Sequence, residues 1–219
     1  ATGRPQSSPY LPALSPDSLP RWRGPARIGD ADAIYSDGRS QLLRLSAADG
    51  RLTVAREIKH PQPFTSAPAA VGDTVWIGQG EMELVAFSAG DLSVLHTLPL
   101  PGRLTWGPQR VGEAVLAATD DGTLLALGSA TEPVFRVALP AAPLAGITAA
   151  PGGRYVAAAG TGICWALDAA GQVKWTVDTA RPLTWSPVWL GDRLIVAGAD
   201  GTVYRMAPPA DDNTTAQAP

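Results

Sequence analysis

Val111-Gly112-Glu113-Ala114-Val115-Leu116-Ala117-Ala118-Thr119-Asp120-Asp121-Gly122-Thr123-Leu124-Leu125-Ala126-Leu127 decides the fold, because its pattern is written five times. It holds the end of one β-like run, a Gly-acidic turn, a second run, an Asp-Gly turn and a third run with an apolar end. The glycine of the first turn recurs as Gly29, Gly72, Gly112, Gly152 and Gly191, at spacings of 43, 40, 40 and 39. The end of the third run recurs as Leu45, Phe87, Leu127, Leu167 and Met206, at spacings of 42, 40, 40 and 39. Two independent anchors thus keep one period.

A period near forty with several strands per unit is the signature of propeller blades. The second runs are β-branched and alternate, as in Thr74-Val75-Trp76-Ile77 and Arg193-Leu194-Ile195-Val196, which is a strand pattern. Asp37-Gly38, Asp121-Gly122 and Asp200-Gly201 supply the positive φ of a tight hairpin. A second polar turn then leads to a fourth run, such as Val94-Leu95-His96 or Val173-Lys174-Trp175-Thr176-Val177. No segment has a helical period. The expectation is an all-β propeller of about five four-stranded blades, over residues 21–62, 63–102, 103–143, 144–182 and 183–207.

A single blade cannot bury both of its faces, so it must stack on neighbours. The fifth unit reaches Met206 and then meets Pro208-Pro209, so it is expected to lack its fourth strand. Either residues 1–20, a proline-rich arm (ATGRPQSSPYLPALSPDSLP), supply an outer edge strand, or the ring is partial and is completed by further sequence or another chain. Proline cannot donate to a ladder and is confined to edges, so the partial ring is the favoured expectation. Residues 208–219 read as a flexible tail.

The 219 residues, 45% hydrophobic and 17% charged, suffice for a packed core. The net charge of −3 argues against a nucleic-acid partner, which calls for a basic face. No run of eighteen apolar residues is present, so no transmembrane helix is expected. Cys164 is the single cysteine; it can form no internal disulfide and reads as a small buried hydrophobe.

The stretch Ala166-Leu167-Asp168-Ala169-Ala170-Gly171-Gln172-Val173-Lys174-Trp175, with Ser186-Pro187-Val188 through Asp200-Gly201-Thr202-Val203-Tyr204, resembles the pyrroloquinoline-quinone-type propeller repeat. Such repeats occur in quinoprotein alcohol dehydrogenases and in BamB-type propellers, and the resemblance covers roughly residues 22 to 207. It implies a structural role for Trp175, Asp168 and Gly171, with the tryptophan docking between neighbouring blades. Other units depart from that pattern, with Val54, Leu95 and Phe135 near the tryptophan position. Relatives with these repeats are commonly exported in bacteria, so the resemblance implies an extracytoplasmic location.

Fold alone does not give activity. A quinoprotein dehydrogenase would carry vicinal cysteines and acidic calcium ligands, by the same resemblance; this chain has neither, so no cofactor and no metal site is expected. His60 and His96 sit in a linker and an outer strand, and no nucleophile–base constellation accompanies them. No catalytic residue is proposed.

The candidate binding set is aromatic and cationic. Trp22, Trp106 and Trp185 occupy equivalent starts of the first strands of units one, three and five, which places the indoles near one mouth of the central channel that first strands line, and Arg27, Arg110 and Trp189 occupy equivalent positions a few residues further in, facing that channel. Tryptophan and arginine are enriched in binding hot spots. The plainer reading is that the indoles fill gaps between blades, and it leads. The functional expectation is a non-catalytic protein-interaction scaffold, with a protein or another chain as partner. A glycan-binding propeller using equivalent aromatic sites is the alternative, and a quinoprotein fragment stands behind both.

Overall fold

The computed structural model describes residues 21–47, 51–140, 143–207 and 214–217, the last as backbone. The arm at 1–20 and the acidic run Asp211-Asp212-Asn213 lie outside them. The described residues are all-β, without a helix, and match a partial β-propeller. They fall into two compact units, 1–99 and 100–219.

The first unit holds two blades. Blade one is β1 (Arg23–Ile28), β2 (Asp32–Ser36), β3 (Gln41–Ser46) and β4 (Thr53–Lys59); blade two is β5 (Ala69–Val71), β6 (Thr74–Gln79), β7 (Glu83–Ser88) and β8 (Val94–Pro99). Both run in sequential antiparallel order.

The second unit holds three. Blade three is β9 (Leu104–Val111), β10 (Ala114–Thr119), β11 (Thr123–Leu127) and β12 (Phe135–Ala138). Blade four is β13 (Leu144–Ala150), β14 (Arg154–Ala159), β15 (Ile163–Leu167) and β16 (Val173–Asp178). Blade five has three strands, β17 (Val188–Leu190), β18 (Arg193–Ala197) and β19 (Val203–Met206). Its fourth-strand position is empty among the described residues, as the proline pair after Met206 predicts.

All five anchor glycines adopt positive φ, between 53° and 78°. This left-handed geometry closes the hairpin between first and second strands and is open to glycine without a Cβ penalty. The forty-residue spacing is therefore the spacing of a backbone requirement.

Alternation along the strands separates two faces of each sheet. In blade four, Tyr155, Ala157, Trp165 and Leu167 join blade three in one buried cluster with Leu116, Leu124 and Phe135. The intervening Val156, Ala158, Cys164 and Ala166 join Leu194 and Val196 of blade five in another. Blade four is therefore apolar on both faces, the pattern expected of a sheet covered on both sides. In the first unit, Ile34 and Leu42 of blade one share a cluster with Val75, Ile77, Val85 and Phe87 of blade two.

Two features depart from the sequence reading. Within the stretch read as a flexible tail, β20 (Thr214–Gln217) pairs parallel with β16, with Trp175 opposite Thr214. The outer edge of β16 presents unpaired main-chain groups, which accept an extended segment whatever its side chains. The second concerns the outer strands. A β-bulge shifts their register in blades one, two and four, adding a residue to the fourth strand. As a result Arg56 and His96, not Val54 and Leu95, occupy the place of Trp175; Phe135 keeps it in blade three.

Candidate interaction surface

The blade-docking residues come first, because they define what an occupied junction looks like. Asp168 closes the turn after β15: its carboxylate accepts from the Ala170 and Gln172 amides, both at 2.9 Å, and pairs with Lys174 at 3.0 Å. Burial pushes that carboxyl up, but the amide donors and the Lys174 ammonium outweigh it and hold the group below its ordinary range. The turn places Gly171 at φ +78°, where a Cβ would lie 2.5 Å from Phe135 Cδ2. Blade four thus meets blade three through a glycine against the Phe135 ring. Trp175 is buried in the cluster that blades four and five share.

The aromatic and cationic set is not one site. Arg27, Arg110 and Trp189 each precede an anchor glycine by two residues, so their backbone positions are equivalent. Their environments differ. Arg27 and Arg110 are exposed, and Arg110 pairs with Glu113 at 3.4 Å. Trp189 is half-buried against the blade four–five cluster, and its indole Nε1 is buried without a hydrogen-bond partner.

Trp106 lies inside β9, opposite Ala118, half-buried against the core. Trp22 and Trp185 precede β1 and β17 and are 41% and 70% exposed. Trp22 stands seven residues before its anchor glycine, Trp106 and Trp185 six. In blade one the residue two before the proline, the place of Trp106 before Pro108, is Arg23. One indole fills a core gap and two face solvent.

What sequence reasoning missed is the outward face of each end blade. The rows Tyr35–Leu43 and Ala33–Leu45 of blade one correspond in strand register to Ala157–Trp165 and Tyr155–Leu167 of blade four. In blade four these residues are packed on blade three. In blade one Tyr35, buried Leu43 and Leu45 line, with Trp22 and Leu52, a cavity of about 310 Å³.

Blade five shows the opposite face. Its rows Ala197–Val203 and Ile195–Arg205 correspond to Ala158–Cys164 and Val156–Ala166, which are sealed against blade five itself. On blade five Val203 is 64% exposed, and Val188 and Leu190 extend the same face. Of eleven large exposed hydrophobic residues among those described, seven lie on the two end blades: Trp22, Leu52, Val54, Trp185, Val188, Leu190 and Val203.

Among the described residues no group of three or more His, Cys, Asp or Glu could hold a metal ion, and no helix is long and apolar enough to cross a membrane. The Cys164 thiol is buried, and burial, with the Asp178 carboxylate, pushes it up to about 12. Such a thiol is not a nucleophile.

Comparison with known proteins agrees with this architecture. Residues 120–212 match the family described as outer membrane protein assembly factor BamB. The structure of BamB from Moraxella catarrhalis superposes with a TM-score of 0.65 at 16% identity, covering 85% of this chain and 58% of that one. The computationally designed Ika8 protein gives 0.65 at 14% identity, over 83% of this chain and 57% of its own. BBS1N, in its complex with ARL6DN, gives 0.65 at 13% identity, over 92% and 69%. At these identities the likeness is one of fold. The chain spans somewhat more than half the length of the first two. No curated protein matches it in sequence.

Proposed function

We propose, on the likeness of its repeats to the PQQ-like, BamB type, that this chain is a non-catalytic protein-interaction scaffold working through blades one and five. The observation that carries the proposal is the concentration of large exposed hydrophobic side chains on blades one and five. Apolar surface of this kind marks a docking site more often than an accident of packing. The fold supports an interaction role at this coarse level. The name of the matching family, an outer membrane protein assembly factor, supports an extracytoplasmic setting in a bacterium as part of the same proposal.

The glycan-binding alternative needs equivalent aromatic sites. Trp106 is half-buried while Trp185 is open to solvent, so equal sites are not what supports it, and it stays behind the scaffold reading.

The test is proximity cross-linking of the chain in a bacterial envelope fraction, with the linked residues mapped by mass spectrometry. The scaffold reading expects cross-links to a distinct protein to fall on blades one and five, and to be lost in Trp185→Ala/Leu190→Asp at unchanged thermal stability. Links spread evenly over all five blades, or retained in that variant, would contradict it.

A further inference from the structure

The place of β20 in the repeat and the edge it occupies disagree. Blade three sets the comparison: β11 ends at Leu127, residues 128–134 connect, and β12 runs Phe135–Ala138. Blade five repeats this spacing residue for residue: β19 ends at Met206, residues 207–213 follow, and β20 runs Thr214–Gln217. By spacing, β20 is the fourth strand of blade five. Its direction agrees, because corresponding strands of successive blades run the same way round a propeller, and β20 lies parallel to β16. Only the pairing differs. The four residues lie on the neighbouring blade, from Trp175 opposite Thr214 to Asp178 opposite Gln217. Meanwhile β19 stays at the edge of its own sheet among the described residues.

We propose that Thr214–Gln217 is an exchangeable strand, held in one state on β16 and in the other antiparallel on β19, where it closes the edge of blade five to a partner. The register of the second state follows from blade three, in which Ala126, Leu125 and Leu124 face Phe135, Arg136 and Val137. Arg205, Tyr204 and Val203 then face Thr214, Thr215 and Ala216. Both edges offer main-chain groups that accept an extended segment whatever its side chains, and parallel pairing is the less stable geometry per residue. With β20 on β16, the edge of β19 is open to an extended segment of the partner, beside the exposed Val203 side chain. With β20 on β19, that edge is filled. The exchange regulates the docking surface of blade five, and in this respect it rests on the scaffold reading.

Cysteine pairs read the two states separately. Thr176→Cys/Thr215→Cys joins β20 to β16, where the two residues face each other. Val203→Cys/Ala216→Cys joins it to β19. Cys164 is buried and takes no part. Under mild oxidation at low protein concentration, each variant should close its own intramolecular disulfide, read by peptide mass spectrometry. Val203→Cys/Thr214→Cys is two residues out of register and should close at least about tenfold more slowly, since diagonal neighbours lie beyond the reach of a disulfide.

Failure of either in-register pair to close overturns the exchange. So does equal closure in and out of register, which would mean random collision instead of strand pairing. The regulatory role is read from the envelope cross-links on blade five. These should be present in reduced Val203→Cys/Ala216→Cys, disappear when it is oxidised, and persist in oxidised Thr176→Cys/Thr215→Cys. Cross-links retained in both oxidised forms would overturn that role. The disulfide readout involves this chain alone, so it stands or falls separately from the scaffold reading.

Discussion

The junction of blades one and two and that of blades three and four occupy the same place in the repeat, yet they are fastened by different chemistry. Between blades three and four, the Phe135 ring lies against the turn that contains Gly171, and the contact is apolar. Between blades one and two the turn after the third strand is gripped by arginines. Arg44, held by Asp32, donates to the Ala89 carbonyl at 3.0 Å and the Gly90 carbonyl at 2.6 Å, and Arg56 reaches the Asp91 carbonyl at 3.1 Å. Arg44 stands in register where blades two, three and four carry Ala86, Ala126 and Ala166. The repeat therefore specifies a slot between blades, and the residue that fills it is free to change.

This difference can be broken at several points, in descending order of expected effect. Trp175→Ala should be the most damaging, removing the large side chain between blades four and five at about 3–5 kcal/mol, read from urea unfolding. Gly171→Ala should cost about 3 kcal/mol by the same measurement. It adds a left-handed φ penalty of about 1–2 kcal/mol to a clash with the Phe135 ring. A Phe135→Leu partner should recover part of that loss, because a leucine can retreat where the ring cannot.

Arg44→Ala should cost less, about 1–2 kcal/mol. Unlike the two changes above, its effect should shrink at high salt, since part of it is the Asp32 pair. Equal salt dependence at both junctions would remove the distinction between them.

The smallest effect is one of pH. The Asp91 carboxyl is lowered to about 2 by the Ser93 amide and hydroxyl and the Ser88 hydroxyl. A carboxyl whose folded value lies below its unfolded 3.8 adds stability above that value. It loses the contribution as pH falls from 3.8 towards 2. Asp91→Asn should therefore flatten the acid limb of stability in that window and leave neutral pH nearly unaltered in slope.

Much of the fold was legible in the chain. The anchor glycines mark a positive-φ turn that few other residues tolerate, so their spacing reports blade length directly. That blade five has three strands among the described residues was legible in Pro208-Pro209, because proline cannot donate to a ladder. The bulge that brings His96 rather than Leu95 opposite Ala86 was not, since it changes strand register without altering the hydrophobic pattern. Nor was β20, whose pairing with β16 is made by main-chain groups.

The candidate site was less legible still. Sequence position makes Trp106 and Trp185 look alike, each six residues before its anchor glycine, yet one is half-buried and the other 70% exposed. The outer face of blade five was hidden for the opposite reason: Val203 reads as ordinary blade interior, and only its 64% exposure separates it from Cys164 at the equivalent position.

That contrast offers the most direct test. Cys164 in blade four and Val203 in blade five stand at equivalent positions, 39 residues apart, one fully buried and one 64% exposed. In a Val203→Cys variant, titration of the native protein with a thiol reagent at low protein concentration should show one thiol reacting at the rate of a free cysteine. The second should react only after denaturation. If both thiols react at once, the inner junction is not sealed. If neither reacts, the face of blade five is already covered within the chain, and the end blades are not the docking surfaces of this molecule.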